Sequence, residues 1–334
     1  ASFGAAMLYF TGSKEHNVLL RERARQRGMT LNEYALARLP GEGDDAAGEI
    51  VARETEESIY DALGLSWIAP ELREDRGEIA RAEAGTLPEL VRQEQIRCEL
   101  HAHTTASDGR MSIRELVEAA AARGFHTIAV TDHSRSQVQA RGLVADRLPR
   151  HVEEVRAVAE DLAGDILVLA GSEVDILADG SLDYDDEVLA LLDIVVASPH
   201  AALSQEPEKA TQRLLRAIEH PAVNIIGHPT GRLLLRRAGL SPDIERLAAA
   251  AAAHDVALEI NANHWRLDLR DVHVRAAIEA GARLAINCDV HAEADYDMLR
   301  YGVLTARRGG ARAEDIVNCL SQSQLRAWLG LDAD

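Results

Sequence analysis

Cysteine is scarce in this chain of 334 residues, and the three cysteines lie far apart in the sequence. Cys98, Cys288 and Cys319 have no paired spacing, so the pattern gives no support to a disulfide framework or to a zinc site built from thiolates. This usage indicates a protein that works in reducing surroundings.

Long apolar runs are absent as well. No stretch approaches the roughly 20 residues that cross a bilayer, and the N-terminus has no basic segment leading into an apolar one. We therefore expect a soluble, cytoplasmic protein without a membrane partner. The chain begins with Ala rather than Met, which suggests a processed or excised piece.

Positive charge is in deficit, with a formal net charge of -19. This balance argues against a broad basic footprint for nucleic acid. DNA is not excluded as a substrate, because carboxylates that bind cations count as negative in a sequence tally. Arg21, Arg23, Arg25 and Arg27 form one local basic cluster, either a solvated helix face or a phosphate contact.

The pattern of apolar and polar residues divides the chain into two parts. Residues 1–80 are predicted to be mostly helical. The polar segment 69–90 contains two prolines and has little apolar periodicity, which predicts a linker, placed at residues 81–96. Residues 97–334 alternate short apolar runs with helical stretches, the rhythm of a parallel sheet. The strand-like runs are 97–101, 126–131, 166–173, 193–198, 223–228, 256–261 and 283–288.

This second part is predicted to be an α/β domain, a distorted seven-stranded TIM-like barrel. A barrel is favoured over a doubly wound sheet because no Gly-rich phosphate loop opens the first helix. Six of the seven predicted strands end in imidazole or carboxylate side chains, where parallel barrels collect their functional residues. These residues are His101, His103, Asp108, His133, Glu173, His200, His228, Asp289 and His291.

Nine such ligands are too many for one zinc ion, which takes four. A mixed set of imidazoles and carboxylates suits two or three ions of the Mn, Fe or Zn kind. Clustered ions polarise a phosphoryl oxygen and activate water, as phosphoester hydrolysis requires. No G-x-S-x-G motif offers a protein nucleophile instead.

An amidohydrolase-type site is the alternative for a barrel whose first strand ends in His-x-His. That resemblance brings a carboxylated lysine at a strand end. The chain has only Lys14 and Lys209, and neither ends a predicted strand, although Glu173 could bridge two ions instead. The lysine count therefore disfavours this alternative.

Residues 97 to about 325 resemble a PHP domain (polymerase and histidinol phosphatase), and all nine ligand positions of the family pattern are matched. The resemblance implies a trinuclear centre, with Mn²⁺ for activity and Zn²⁺ or Fe as other occupants. Catalysis is expected to depend on Glu173, Asp289 and His103. The implied groups are His101, His103, Glu173 and Asp289 for one ion, Glu173, His200 and His228 for a second, and Asp108, His133 and His291 for a third.

The first part resembles the thumb of family X DNA polymerases. The resemblance rests on four segments, "YFTGSKEHN" at 9–17, "LNEYAL" at 31–36, "TEESIYDALGL" at 55–65 and "APELRED" at 69–75. In that family the Tyr-Phe-x-Gly turn and the following Asn line the incoming nucleotide, and an Arg approaches the template. The matching residues are Tyr9, Phe10, Gly12, Asn17 and Arg21.

No Gly-Asp-x-Asp palm signature lies ahead of residue 9. The chain is thus expected to be the C-terminal part of a bacterial, nucleoid-associated family X polymerase. Its palm and fingers, partners in the intact protein, are missing, and it should not polymerise DNA.

Three hypotheses follow for function. The first is a metal-dependent DNA phosphoesterase that acts as a 3′→5′ exonuclease on single strands or 3′ primer ends, with 3′-phosphatase and abasic-site endonuclease activities. The second is a phosphatase of small phosphomonoesters, and the third a non-catalytic structural or DNA-binding module. Arg232, Arg135 or Arg141 could steer a phosphate, or each could be an ordinary surface arginine.

Overall fold

The computed structural model describes residues 2–40, 48–162 and 166–331. The chain divides into two compact units, Ala1–Glu89 and Leu90–Asp334. Each unit has its own hydrophobic core, as expected of segments of about 90 and 240 residues.

The segment predicted as a linker contains ordered structure. It includes the end of the helix Glu78–Ala84 and the 3-10 turn Gln93–Gln95. The segment is polar because its short elements have few buried positions, and this composition is what predicted a linker. The bounds 1–80, 81–96 and 97–334 stay a prediction.

The first unit combines helices with a small antiparallel sheet in the order β1-β2-β3. The prediction of mostly helical structure does not include this sheet. Each of its strands has three residues, too few for the alternation of buried and exposed positions that identifies a strand. The elements are α1 (Phe3–Phe10), α2 (Lys14–Gln26), β1 (Met29–Leu31), β2 (Leu36–Arg38), β3 (Ile50–Ala52), α3 (Glu56–Ala62) and α4 (Glu78–Ala84).

Hydroxyl side chains fix where two of these helices begin. The Ser13 hydroxyl accepts a hydrogen bond from the His16 N–H at 3.1 Å at the start of α2. The Thr55 hydroxyl accepts one from the Ser58 N–H at 3.2 Å at the start of α3. Gly12, at φ +80°, makes the turn between α1 and α2, where a Cβ would lie 2.4 Å from the Arg73 Cβ.

A buried polar network joins α2 to α4 in the first unit. His16 Nδ1 lies 2.5 Å from Glu78 Oε1, and His16 Nε2 lies 3.1 Å from the Tyr60 hydroxyl. Glu78 also accepts the backbone N–H groups of Asp75 and Arg76. This carboxylate therefore holds the first turn of α4 against α2.

The second unit is a nearly closed barrel of seven parallel strands. Neighbouring strands are also consecutive in sequence, from β4 at one edge of the sheet to β10 at the other. Most strand positions are fully buried, which explains their continuous apolar runs. The strands are β4 (Cys98–Glu99), β5 (Thr127–Val130), β6 (Leu167–Asp175), β7 (Ile194–Ser198), β8 (Ile225–Ile226), β9 (Ala257–Asn261) and β10 (Arg283–Asn287).

Within the described part of this unit, one α-helix lies between each pair of consecutive barrel strands, and two more follow β10. Among the described residues, no helix is both long and apolar enough to cross a bilayer. The helices are α5 (Ile113–Ala122), α6 (Leu148–Asp161), α7 (Asp186–Leu189), α8 (Pro207–Ile218), α9 (Ile244–His254), α10 (Asp271–Glu279), α11 (Leu299–Gly309) and α12 (Gln322–Trp328).

The seam between β4 and β10 is closed in two different ways. Just beyond the C-terminal ends of these strands, the His103 N–H donates to the Val290 carbonyl at 2.8 Å, and the Val290 N–H donates to the His101 carbonyl at 3.1 Å. Lower in the seam, the Asn318 side chain donates to the Cys98 carbonyl and accepts the Ile286 N–H. The barrel is thus completed by a side chain where strand pairing is missing.

Candidate metal centre

Glu173 lies at the middle of the site, with no exposed surface. Strand β6 continues two residues beyond it, to Asp175, so Glu173 lies within the strand and not at its end as predicted. A buried carboxylate needs partners that compensate its charge. Its two oxygens lie within 3.6 Å of nitrogens of His101, His103, His133, His200 and His228.

Asp108 organises a second group toward the surface. Its Oδ1 lies 3.5 Å from His133 Nε2 and 3.3 Å from His291 Nε2. His103 completes this group, its ring stacked between those of His133 and His291 at centroid distances of 4.4 and 4.2 Å. Ligands from three different strand ends therefore converge here.

Asp289 joins the two groups from the end of β10. Its Oδ1 lies 3.2 Å from His103 Nε2 and 3.6 Å from both His101 Nε2 and His291 Nδ1. The backbone of Asp289 has φ +55°, and that of His228 has φ +23°. Non-glycine residues rarely take this conformation, which is often found where a functional side chain must be aimed.

All nine predicted ligands are brought together. Their ligand atoms form overlapping groups, within each of which the atoms lie no more than 4.8 Å apart. The grouping differs from the implied one, since His103 joins Asp108 and His101 joins Glu173 and His228. The groups are His103, Asp108, His133 and His291; His101, Glu173 and His228; His101, His103 and Asp289; and His133, Glu173 and His200.

The donor atoms of this cluster fit divalent cations. Several are buried and have no hydrogen-bond partner within the part of the chain that the structure describes, an arrangement that is costly unless another group satisfies them. Imidazole nitrogens and carboxylate oxygens together suit Zn, Mn and Fe. The atoms are His101 Nε2, His103 Nδ1, His133 Nδ1, both oxygens of Glu173 and both ring nitrogens of His228.

Electrostatics keep the carboxylates of the cluster ionised. Burial raises the pKa of Glu173, but His200 and His101 outweigh burial and hold that pKa well below its usual value. The pKa of Asp289 is likewise held low, against burial, by His101 and His103. Burial, with the charges of neighbouring imidazoles, lowers the pKa of His103 to about 4. At neutral pH these three side chains present free lone pairs to a cation.

A second layer of side chains, most of which sequence reasoning missed, orients the ligands. His101 Nδ1 lies 2.7 Å from Glu259 Oε1, and His200 Nδ1 lies 2.5 Å from Asp175 Oδ1. Glu259 Oε2 also accepts the His228 N–H at 2.6 Å. Such partners fix the ring orientation and tautomer of a ligating histidine. The sequence signal was a glutamate inside the otherwise apolar run "VALEIN".

Asp132, the residue before His133, holds the loop that follows β4. It accepts hydrogen bonds from the backbone N–H groups of Thr104 and Ser107, and its Oδ2 lies 3.0 Å from His151 Nε2. Asp132 thereby anchors the loop that leads from His103 to Asp108.

The arginines considered for phosphate steering are not equivalent. Arg232 donates to the backbone carbonyls of Arg266 and Leu267, so its guanidinium is used to hold a loop. Arg135 pairs with Asp183 at 3.2 Å, and Arg141 lies exposed. Arg266, which sequence reasoning did not single out, places its Nε 3.5 Å from Asp289 Oδ2.

The residues matched to the polymerase thumb lie together at the α1–α2 junction. Tyr9 and Phe10 are both exposed, with ring centroids 5.1 Å apart. The Asn17 amide donates to the Ser13 carbonyl at 3.1 Å, and Arg21 Nε donates to the Asn17 carbonyl at 3.3 Å. The turn at Gly12 lies between α1, which carries Tyr9 and Phe10, and α2, which carries Asn17 and Arg21.

Two family models match the chain. Residues 6–74 match the DNA polymerase beta thumb, and residues 99–263 match the PHP domain. The barrel is thus a PHP domain, the domain of a family of metal-dependent phosphoesterases. The chain is 40% identical over 327 residues to the DNA polymerase/3′-5′ exonuclease PolX of Bacillus subtilis (strain 168). It belongs to the bacterial family X DNA polymerases, of which it carries the thumb and the PHP domain.

The extent of each match differs. The alignment with the Bacillus protein covers 98% of this chain and 56% of the relative, so the chain spans about half of that relative's length. A protein of Thermoanaerobacter sp. (strain X514) named "Probable phosphatase" is 27% identical over 69% of this chain and 93% of its own. The structure of histidinol phosphate phosphatase from Lactococcus lactis covers 65% of this chain and 95% of that one, at 17% identity and a TM-score of 0.49.

Proposed function

We propose that this chain is a metal-dependent DNA phosphoesterase that acts as a 3′→5′ exonuclease, with 3′-phosphatase and abasic-site endonuclease activities. The observation that carries the proposal is the convergence of nine ligand-type side chains with unpaired buried donor atoms. The identity to a relative named as polymerase and 3′-5′ exonuclease supports DNA as the substrate.

The residues would hold three divalent cations, with Mn²⁺ as the activating ion and Zn²⁺ or Fe as other occupants. Bound ions of this kind polarise a phosphoryl oxygen, lower the pKa of water and stabilise the leaving oxygen. Asp108, His133 and His291 would hold one ion, and Glu173, His200 and His228 a second. The third would be held by His101, His103, Glu173 and Asp289. Glu173 lies between its imidazoles so that each carboxylate oxygen faces a different set, which suits a bridging ligand.

The chain's own side chains would position the substrate and supply the negative charge that binds the cations. Glu173 and Asp289 remain ionised and carry negative charge into a buried site, while His103 contributes a neutral imidazole between the groups. Arg266 lies at the edge of the cluster, with 17% of its side chain exposed, so its guanidinium can contact a phosphate that reaches Asp289.

The thumb residues are proposed to hold DNA. Tyr9 and Phe10 offer ring faces on which a base can stack, and Arg21, one helical turn after Asn17 on α2, offers a guanidinium to a phosphate. Gly12 lets the backbone turn between them. Weak affinity is expected for this chain because of its net charge of -19.

The test is a time course on a 5′-labelled single-stranded oligonucleotide with Mn²⁺. Wild type is expected to give a ladder that shortens from the 3′ end. Asp289→Ala should lose activity by several orders of magnitude because the ligand that joins two groups is gone. Asp186→Ala, at an exposed position on α7, is the matched control and should cleave like wild type. Equal cleavage by Asp289→Ala would reject the assignment of the activity to this site.

Hydrolysis of a small phosphomonoester is the second candidate, favoured by the relatives named "Probable phosphatase". The two functions are separated by comparing kcat/KM for a 3′-phosphorylated oligonucleotide with that for a free phosphomonoester. A DNA phosphoesterase prefers the oligonucleotide. A preference for the small ester would move the assignment to the second candidate.

A further inference from the structure

Two loops that no ligand assignment uses lie at the C-terminal end of the barrel. Residues 229–241 follow β8, and residues 262–270 follow β9. The Leu234 N–H donates to the Trp265 carbonyl at 2.6 Å, and the Arg232 guanidinium donates to the carbonyls of Arg266 and Leu267. These contacts hold both loops together as one surface, next to the strand ends that carry the metal ligands.

This surface combines exposed apolar side chains with positive charge. Leu235 at the tip of its loop is fully exposed. Trp265 is 43% exposed, although a side chain as large and apolar as this one is usually buried. The Arg236 guanidinium carbon lies 4.5 Å from the Trp265 ring centroid. Arg237 is exposed beside Arg236. We refer to Leu235, Arg236, Arg237 and Trp265 as the Arg–Trp surface.

The charge of the Arg–Trp surface contrasts with that of the whole molecule. Residues 229–241 contain three arginines and no acidic residue, in a chain whose net charge is -19. The acidic residue of the neighbouring loop, Asp268, is fully buried and accepts the Thr230 N–H at 3.0 Å. Local potential here therefore favours an anionic partner although the molecule as a whole repels one.

The Arg–Trp surface is connected directly to the metal centre. Arg266 follows Trp265 in the chain and places its Nε 3.5 Å from Asp289 Oδ2. Directly before the same loop, at the end of β9, the Asn261 amide donates to Asp289 Oδ2 at 3.1 Å. A polymer bound across Trp265 would thus have a neighbouring phosphate within reach of Asp289.

We propose that the Arg–Trp surface binds the unpaired bases of a DNA strand next to the scissile phosphodiester, with a base stacked on Trp265 and phosphates on Arg236 and Arg237. This inference rests on the proposed function. Unpaired strands expose the ring faces on which an aromatic side chain stacks, whereas a duplex keeps them inside. The surface therefore selects single-stranded 3′ ends over paired ones.

Kinetics provide the first test, through the ratio of kcat/KM for a single-stranded oligonucleotide to that for bis(p-nitrophenyl) phosphate. Trp265→Ala is expected to lower this ratio about tenfold, mainly through KM, because base–aromatic stacking is lost. Trp265→Phe keeps a ring and should recover most of the ratio. Arg236→Ala should also lower this ratio, and it should not make the salt dependence of the ratio steeper. Arg150→Ala, which replaces an exposed arginine on α6, is the control and should keep the wild-type ratio.

Fluorescence provides the second test and needs no cleavage. The chain has three tryptophans, so Trp67→Phe with Trp328→Phe leaves Trp265 as the reporter. Titration with oligo(dT) should quench it, and a hairpin duplex without a single-stranded end should not. Quenching without any nuclease activity in wild type would reject the proposed function and keep this surface.

The opposite result is equally clear. An unchanged substrate ratio in Trp265→Ala, together with unquenched Trp265 fluorescence, would overturn the Arg–Trp surface as a strand-binding site, even if the nuclease itself is active. Equal quenching by single strand and duplex would assign the surface to duplex DNA instead and would also overturn the proposal.

Discussion

At the scale of single residues, the site is a set of charges that stabilise one another. Glu173 is fully buried and still ionised, because imidazoles surround both of its oxygens. His101 lies between Glu173 and Glu259, and burial, which lowers its pKa, is outweighed by these carboxylates. Removing one partner would leave a buried charge uncompensated, which costs far more than the loss of one hydrogen bond.

Glu259 gives a prediction at this scale. Glu259→Gln keeps the shape of the side chain but weakens the acceptor that orients His101, so metal affinity is expected to fall about 10- to 100-fold. Isothermal titration of the metal-free protein with Mn²⁺ measures this. Glu187→Gln, at an exposed position on α7, is the matched control. Equal affinities for the two variants would show that Glu259 does not orient a ligand.

Much of the residue-level site could be predicted from the sequence. The nine candidate ligands were singled out because imidazoles and carboxylates recur where apolar runs stop, and parallel strands bring those points together. Glu259 was missed although a glutamate within an apolar run marked it, and Asp175 was missed because it lies in a strand and no pattern separates it from a surface position. Their roles depend on which side chain lies opposite in space, and spacing along one strand does not contain that information.

At the scale of elements, helix caps and strand length determine which helices and strands can be predicted from the sequence. The barrel strands were predicted because β-branched runs recur with helices between them, and both features are long enough to be seen. The three-residue strands of the first unit were not, because their pairing depends on contacts between Leu36 and its neighbours across the sheet. Helix starts at Ser13 and Thr55 follow directly from their hydroxyls.

The first turn of α4 gives a prediction about pH. Burial raises the pKa of Glu78, but hydrogen bonds from His16 and from backbone N–H groups outweigh it and lower this pKa to about 2. The ionised form is therefore bound more tightly in the folded state than in the unfolded chain. Its contribution is fully present above about pH 4.5 and is lost as the pH falls toward 2.

Acid unfolding of the first unit measures this effect, followed by Trp67 fluorescence in a background with Trp265→Phe and Trp328→Phe. Wild type should lose stability between pH 4.5 and 2. Glu78→Gln should be less stable at pH 7 and lose less over that range. Glu57→Gln, exposed in the first turn of α3, should keep the wild-type profile. A wild-type profile in Glu78→Gln would mean that other carboxylates control the acid transition.

At the scale of the whole molecule, the two units have separate cores and different dependence on ligands. The metal-centre residues all belong to the second unit, so a bound ion stabilises that unit and not the first. By mass action an ion at 100 times its dissociation constant contributes about 2.7 kcal/mol. The chain should therefore unfold in two transitions whose separation depends on metal.

Chelation tests this expectation. EDTA should lower the midpoint of the second unit by several degrees and leave that of the first unchanged. Trp67 reports the first unit, and a Trp67→Phe variant leaves Trp265 and Trp328 to report the second. The same shift in both signals would show that the units unfold as one, and no shift in either would indicate that no structural ion is bound.

The seam between β4 and β10 has a consequence for biosynthesis. His103 and Asp289 meet across it although 186 positions separate them in the chain. During translation one edge of the first barrel strand has no hydrogen-bonding partner until the last strand and Asn318 have emerged from the ribosome. The nascent chain thus has no complete cation site before nearly all of it has been made. A ribosome that stops early therefore releases a chain in which these candidate ligands are never all brought together.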